Sequence, residues 1–204
     1  MLEGVATPQQ VDDALERFGF AMGPFAVSDL AGLDIAYRSK RERNLRGAGV
    51  AFRQSRIPDL LVECGRLGQK TGAGYYRYES GKRERHPDPV VEELLYAERQ
   101  RLGIAAHAPS DEEIIERCTL ALVNEGARIL TEGIAVRASD VDLVYLNGYG
   151  FPARRGGPMC YANEVGLANV VRALRRFADE PGADASWQPA PLLVQLAEDG
   201  KTFA

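Results

Sequence analysis

Histidine, cysteine and long apolar runs are all scarce in this 204-residue chain, and each scarcity closes off a class of function. The two histidines, His86 and His107, sit in loop-like, proline-containing sequence, which leaves no Ser/His/Asp set and no cluster of ligands for zinc. The three cysteines, Cys64, Cys118 and Cys160, lie far apart without CxxC spacing and read as buried, reduced thiols of a cytoplasmic protein. No apolar run approaches the ~20 residues of a membrane span. The first residues, Met1-Leu2-Glu3-Gly4, lack the charged and apolar regions of a signal peptide. No G-x-G-x-x-G occurs: Gly72-Ala73-Gly74 is followed by Tyr-Tyr-Arg and is not preceded by a buried strand, so no Rossmann domain is encoded here. A formal net charge of -4 gives nucleic-acid binding no electrostatic support.

What the chain does have is a repeat of itself. Residues 124–167 restate much of what the first 34 residues say. Glu3-Gly4-Val5-Ala6 answers Glu132-Gly133-Ile134-Ala135, and Val11-Asp12 answers Val141-Asp142. Gly19-Phe20 answers Gly150-Phe151. Gly23-Pro24-Phe25 answers Gly157-Pro158-Met159, and Gly32-Leu33 answers Gly166-Leu167, these last two at one shared offset. Apolar, acidic and Gly-Pro positions stay in order, which implies duplication of one helical unit. The expected domains are a first repeat over 1–103, shortened at its start and carrying a glycine-rich loop and hairpin, and a second repeat over 104–204.

The local signals predict a mostly α protein with one small hairpin. Gly4 reads as the C-cap of a helix cut short, as if the chain began inside a larger protein. Thr7 caps a helix with Pro8 at its first position and Val11, Ala14, Leu15 and Phe18 on one face. A helix over 25–34 with a break at Gly32 follows, then a charge run over 39–46 that is either a solvated face or a loop. Residues 57–64 form a short helix closed by Gly65. Four glycines between Gly65 and Gly74 lead into a short strand, with a hairpin turn at Glu79-Ser80-Gly81-Lys82. A helix over 87–102 puts Val90, Val91, Leu94, Leu95 and Leu102 inside, and 103–109 is the linker. Ser110 opens a capping box into a long helix, Ser139 caps the next, and helices over 167–178 and 191–198 complete the chain.

Few residues are candidates for chemistry, and each has two readings. Lys70, in Gly68-Gln69-Lys70-Thr71, misses the P-loop pattern because Gln69 stands before it; it is either a mobile cation for an anionic ligand or a solvated residue of a turn. Asn124 and Glu125 are either a functional polar pair or the satisfiers of backbone groups at a helix crossing. Arg154-Arg155-Gly156-Gly157 either holds a phosphate or forms a surface turn. The bend from Asn147 to Pro152 either lines a groove for an apolar ligand or is a corner with Phe151 plugging the core.

At these residues the chain resembles a known family. Gly19-Phe20-Ala21-Met22-Gly23-Pro24-Phe25, Gly32-Leu33-Asp34 and Gly65-Arg66-Leu67-Gly68-Gln69-Lys70-Thr71-Gly72 resemble the C-terminal helical domain of 3-hydroxyacyl-CoA dehydrogenases, a fold of the 6-phosphogluconate dehydrogenase C-terminal type. Val123-Asn124-Glu125, Gly150-Phe151-Pro152 and Arg155-Gly156-Gly157-Pro158 resemble the extra repeat of multifunctional fatty-acid oxidation enzymes. The resemblance implies oxidation of 3-hydroxyacyl-CoA to 3-ketoacyl-CoA with NAD as hydride acceptor. It implies that the general-base His–Glu dyad and a carbonyl-holding Asn lie outside these residues, so that no catalytic residue is assigned here and the chain alone is inactive. It places Lys70 against NAD and Asn147 against the acyl-CoA substrate. It further implies an upstream Rossmann domain, a hydratase domain and a thiolase subunit as partners. The alternative is a helical scaffold or interaction module without catalysis.

Overall fold

The computed structural model describes residues 6–45, 55–79, 81–82, 84–104, 107–180 and 183–204. The expected Gly4 cap and Ser80 of the expected turn lie outside them. Ten α-helices and one hairpin are present among the described residues. The elements are α1 (Pro8–Phe18), α2 (Pro24–Ala31), α3 (Leu33–Leu45), α4 (Ile57–Glu63), β1 (Arg77–Tyr78), β2 (Arg85–His86), α5 (Pro89–Leu102), α6 (Asp111–Thr131), α7 (Ala138–Gly148), α8 (Pro158–Val165), α9 (Leu167–Ala178) and α10 (Pro191–Glu198). They pack as two compact units. Unit 1 holds residues 1–17 and 22–114, and unit 2 holds Phe18–Ala21 with Ile115–Ala204.

In unit 1 the local signals behave as their chemistry demands. The Thr7 hydroxyl accepts from the Gln10 amide at 3.2 Å, and the Gln10 side chain accepts from the Thr7 amide at 2.9 Å, a reciprocal cap on α1. Gly32 breaks α2 from α3 at φ 99°, a backbone only glycine adopts cheaply. Residues 39–43 of the charge run are a solvated or half-buried part of α3 rather than a loop, and residue 46 lies outside the described residues. Tyr78 pairs with Arg85 and Arg77 with His86 across the antiparallel hairpin. Ile57, Leu61, Tyr75, Tyr76, Val91 and Leu95 form the core. Val91 is buried as expected, but Val90, also expected inside, faces solvent at the first turn of α5, where Asp88 caps the helix by accepting from the Val90 amide at 3.1 Å.

The long helix α6 opens on Ser110, whose hydroxyl accepts from the Glu113 amide at 3.3 Å, and from Ile115 onward it belongs to unit 2. Ser139 is not the cap of α7. The helix starts at Ala138, and the Asp140 carboxylate accepts from the Arg137 amide at 3.0 Å. The acidic side chain in the first turn satisfies the amide just before the helix and complements the positive end of its dipole. Leu120, Val123, Met159, Val170, Leu174, Phe177 and Leu193 fill the core. Two expected buried thiols are exposed, at Cys64 and Cys160, while Cys118 is half-buried. Cys64 stands at the C-cap of α4, and Cys160 lies on the face of α8 away from buried Met159 and Ala162.

The duplication is visible in the hydrogen bonding. Asp12 on α1 accepts from the amides of Phe25 and Ala26, both at 2.9 Å, at the start of α2. Asp142 on α7 accepts from Met159 and Cys160 at 2.7 and 3.1 Å, at the start of α8. The repeated aspartate is therefore a cap delivered from the preceding helix to one whose first residue is proline. The repeated glycine follows from the same geometry. A Cβ on Gly23 would lie 2.2 Å from the Asp12 carboxyl carbon, and one on Gly157 would lie 2.4 Å from Asp142.

Burial pushes the Asp142 carboxyl above its usual range, against the pull of the two amides it caps. A carboxyl raised in the fold binds protons more tightly there than in the unfolded chain. Ionising it therefore costs stability as pH rises from about 4 through the raised value. Asp142→Asn should remove that share of the slope. Urea midpoints of both proteins between about pH 4 and 6 check this, and identical slopes would contradict it.

Candidate functional site at the Lys70 loop

The glycine-rich segment folds into a closed ring. The Gly68 amide donates to the Ala73 carbonyl at 2.8 Å, and the Gly72 amide to Gln69 at 3.1 Å. The Thr71 hydroxyl accepts from the Leu67 amide at 2.9 Å and donates within the ring to Ala73. Gln69–Thr71 make one turn of 3-10 helix, and Gly68 and Gly72 have φ of 101° and 74°. These left-handed glycines reverse the chain on either side of Lys70 and leave its side chain at the tip. Arg66 secures the ring from the outside, donating to the Gly74 carbonyl at 3.1 Å and to Asp88 at 2.7 Å.

The Lys70 ammonium is half-exposed and donates to the Asp34 carboxylate. Arg38, one turn further along α3, reaches the same carboxylate at 3.4 Å. The bond from Lys70 holds the Asp34 carboxyl below its usual range. Two cations thus share one anion in contact with solvent. Such an ammonium can turn to a phosphate or hydroxyl oxygen without first being dehydrated, so the site fits an anionic or polyhydroxyl ligand.

The other candidates resolve differently. Asn124 satisfies backbone: its amide nitrogen donates to the Ser186 and Gln188 carbonyls, both at 2.9 Å, and its oxygen accepts from the Ala190 amide at 2.8 Å. Arg128 donates to the same two carbonyls. Arg154 donates to the Phe18 carbonyl at 3.0 Å, and the Arg155 guanidinium lies 4.0 Å from the centre of the Phe18 ring. Arg154 thus ties the turn to the Phe18 backbone and Arg155 lies over the Phe18 ring, as the surface-turn reading expects. Phe151 is buried in a cluster of edge-on rings with Phe18 and Phe20, so the bend is a filled corner.

Asn147 is exposed near the end of α7 and donates to the Leu143 carbonyl at 2.8 Å. Around it Leu143, Val144 and Tyr149 stand in solvent, an apolar surface beside a single amide. His107 contacts Glu113 at 3.0 Å, but its imidazole is more than half exposed, so this is a surface pair. No group of three or more His, Cys, Asp or Glu side chains suited to a metal occurs among the described residues. No helix among them is long and apolar enough to cross a membrane.

Sequence reasoning missed Asp29, which is buried beneath the ring. Its carboxylate accepts from the Tyr75 and Tyr76 amides at 2.9 and 3.0 Å and from the Tyr78 hydroxyl at 2.9 Å. The repeat contains a signal for it. Asn163, at the matching position of α8, donates to the Phe203 carbonyl at 3.0 Å and accepts from its amide at 2.9 Å.

Comparison with known proteins gives the family of the chain. The family profile for the C-terminal domain of 3-hydroxyacyl-CoA dehydrogenase matches residues 1–78 and 114–203. The chain is 47% identical over 211 residues to the peroxisomal bifunctional enzyme of Danio rerio, covering 98% of this chain and 29% of the relative. It is 30% identical over 198 residues to the fatty acid oxidation complex subunit alpha of Pseudomonas aeruginosa, covering 95% and 27%. Among solved structures it resembles the dehydrogenase part of multifunctional enzyme 1 from C. elegans, with TM-score 0.71, 26% identity, and 93% and 42% of the two chains covered. The chain thus spans under a third of the length of the curated relatives it matches.

Proposed function

This chain belongs to the family of 3-hydroxyacyl-CoA dehydrogenase C-terminal domains, and on that footing we propose that it is the substrate-side and assembly part of an NAD-dependent 3-hydroxyacyl-CoA dehydrogenase of fatty-acid β-oxidation. The overall reaction oxidises a 3-hydroxyacyl-CoA to the 3-ketoacyl-CoA. Bound NAD supplies the hydride acceptor. The observation that carries the reading is the half-exposed Lys70 ammonium, presented by a rigid ring and shared with Asp34. Lys70 is the residue proposed to hold the nucleotide from this side. Asn147, set among exposed Leu143, Val144 and Tyr149, is proposed to meet the acyl-CoA. The general base and the nucleotide-binding fold are supplied by a Rossmann domain outside these 204 residues, so the chain by itself does not catalyse.

The two repeats, 1–103 and 104–204, are proposed as the assembly platform for that domain, for a hydratase domain and for a thiolase subunit. The names of the Danio rerio and Pseudomonas aeruginosa relatives support a multifunctional parent. That Cys64, Cys118 and Cys160 form no disulfide among the described residues supports a reducing compartment, proposed as the cytoplasm. The peroxisomal name of the Danio rerio relative favours the competing compartment, and imaging of the tagged parent decides between them.

Acetoacetyl-CoA-dependent oxidation of NADH tests the proposal, with the chain alone and after addition of a separately expressed Rossmann half. Activity only on mixing is expected. Activity from the chain alone contradicts the claim that the base lies elsewhere. Silence in both, with the added half shown to be folded, favours a helical scaffold without catalysis.

A further inference from the structure

Both feet of the Lys70 ring stand on Asp29. A Cβ on Gly68 would lie 2.2 Å from the Asp29 carbonyl oxygen, and one on Gly74 would lie 2.0 Å from its Oδ1. No side chain fits at either foot, so the ring backbone rests directly on this one residue. The carboxylate is then filled by three donors, two amides just beyond the ring and the Tyr78 hydroxyl. Only a carboxylate accepts all three; an amide in its place would turn an N–H toward one of them. Five residues on, across the Gly32 break, Asp34 receives the Lys70 ammonium. A single short segment therefore supports the base of the ring and the tip of its lysine.

The second repeat shows what the fold alone requires. There Asn163 holds one residue, Phe203, by a donor and an acceptor, and an amide suffices. The carboxylate and the two close glycine approaches occur in the copy that carries the Lys70 ring.

We infer that Asp29 is a positioning residue for nucleotide binding, holding the Lys70 ring in the geometry that presents the ammonium to NAD. The inference rests on the proposed contact between Lys70 and the nucleotide. Asp29 touches neither substrate nor cofactor and acts only through Lys70.

A double-substitution cycle tests it, using the full 204-residue chain mixed with the Rossmann half and reading KM for NADH separately from kcat. Lys70→Ala is expected to raise KM roughly tenfold, the worth of one hydrogen bond to a charged group, with kcat within about twofold. Asp29→Asn should raise KM comparably, and the double variant should be no worse than Lys70→Ala alone. Hydrogen exchange on the 204-residue chain should show faster amides at Tyr75 and Tyr76 in Asp29→Asn. Multiplying effects in the double variant, or a folded Asp29→Asn with unchanged KM beside an impaired Lys70→Ala, overturn the inference and leave the Lys70 reading standing. An unchanged KM in Lys70→Ala overturns both. If Asp29→Asn does not fold, Tyr78→Phe, which removes one donor and keeps the ring, carries the test. A raised KM supports the inference, and an unchanged one overturns it.

Discussion

Replacing Asp12 by alanine is expected to destabilise unit 1 by roughly 3–5 kcal/mol, the range for removing one partner of a buried charged network. The side chain is fully buried and serves more than one group. It caps α2 through the amides of Phe25 and Ala26, and it accepts from the Tyr76 hydroxyl at 2.8 Å. Arg85 lies 3.8 Å away and is itself held by Glu16 at 2.6 Å. Alanine leaves two amides and one hydroxyl without an acceptor in a dry site, and it opens space beside Gly23. Each orphaned donor costs about 1–3 kcal/mol, so the sum is set by how far water can enter. Asp142→Ala is the internal comparison. It orphans only the Met159 and Cys160 amides, and about 2 kcal/mol is expected. Thermal and urea unfolding of both variants check the order. An Asp142→Ala loss equal to or larger than that of Asp12→Ala would show that the extra tyrosine bond and the nearby guanidinium contribute nothing.

Gly74→Ala is expected to cost about 3 kcal/mol, the upper part of the range for overpacking a core. The backbone there needs no special φ, so the penalty comes from space alone. The new methyl would meet Asp29 Oδ1 at 2.0 Å and the Gly68 Cα at 2.7 Å. Neither can yield easily: the carboxylate is fixed by three donors, and Gly68 is closed into the ring. Gly65→Ala separates this from the ordinary cost of losing a glycine. Gly65 has φ of 74° but nothing within 4 Å of a Cβ, so about 1 kcal/mol of backbone strain is the whole effect. Equal Tm losses for the two variants would mean that the ring relaxes around the methyl. The same relaxation would weaken the case that Asp29 and its glycines hold Lys70 rigidly.

These effects separate what is legible along the chain from what is not. The helix starts at Pro8 and Ser110, the breaks at Gly32 and Gly65 and the hairpin depend on neighbours within a few residues, and they can be read from spacing. Register at helix starts is less secure, as Ser139 and Val90 show. The duplication and the family resemblance were also legible, since both consist of residue types in order. Lys70 could be singled out from its glycines, but Asp34, its partner, could not.

The sequence by itself determined that this protein is a duplicated, mostly helical domain of the 3-hydroxyacyl-CoA dehydrogenase type, because periodicity, capping and repeated motifs are local or linear properties. Only the tertiary structure decided that Val11-Asp12 and Val141-Asp142 repeat because each aspartate caps a helix that begins well beyond its own. Only it showed that Arg155 lies over the Phe18 ring, and that Asp29 lies under the Lys70 ring. The physical reason is common to all three. A buried carboxylate or guanidinium must be satisfied, and its partners are chosen by packing between segments distant in the chain, where no periodicity records them.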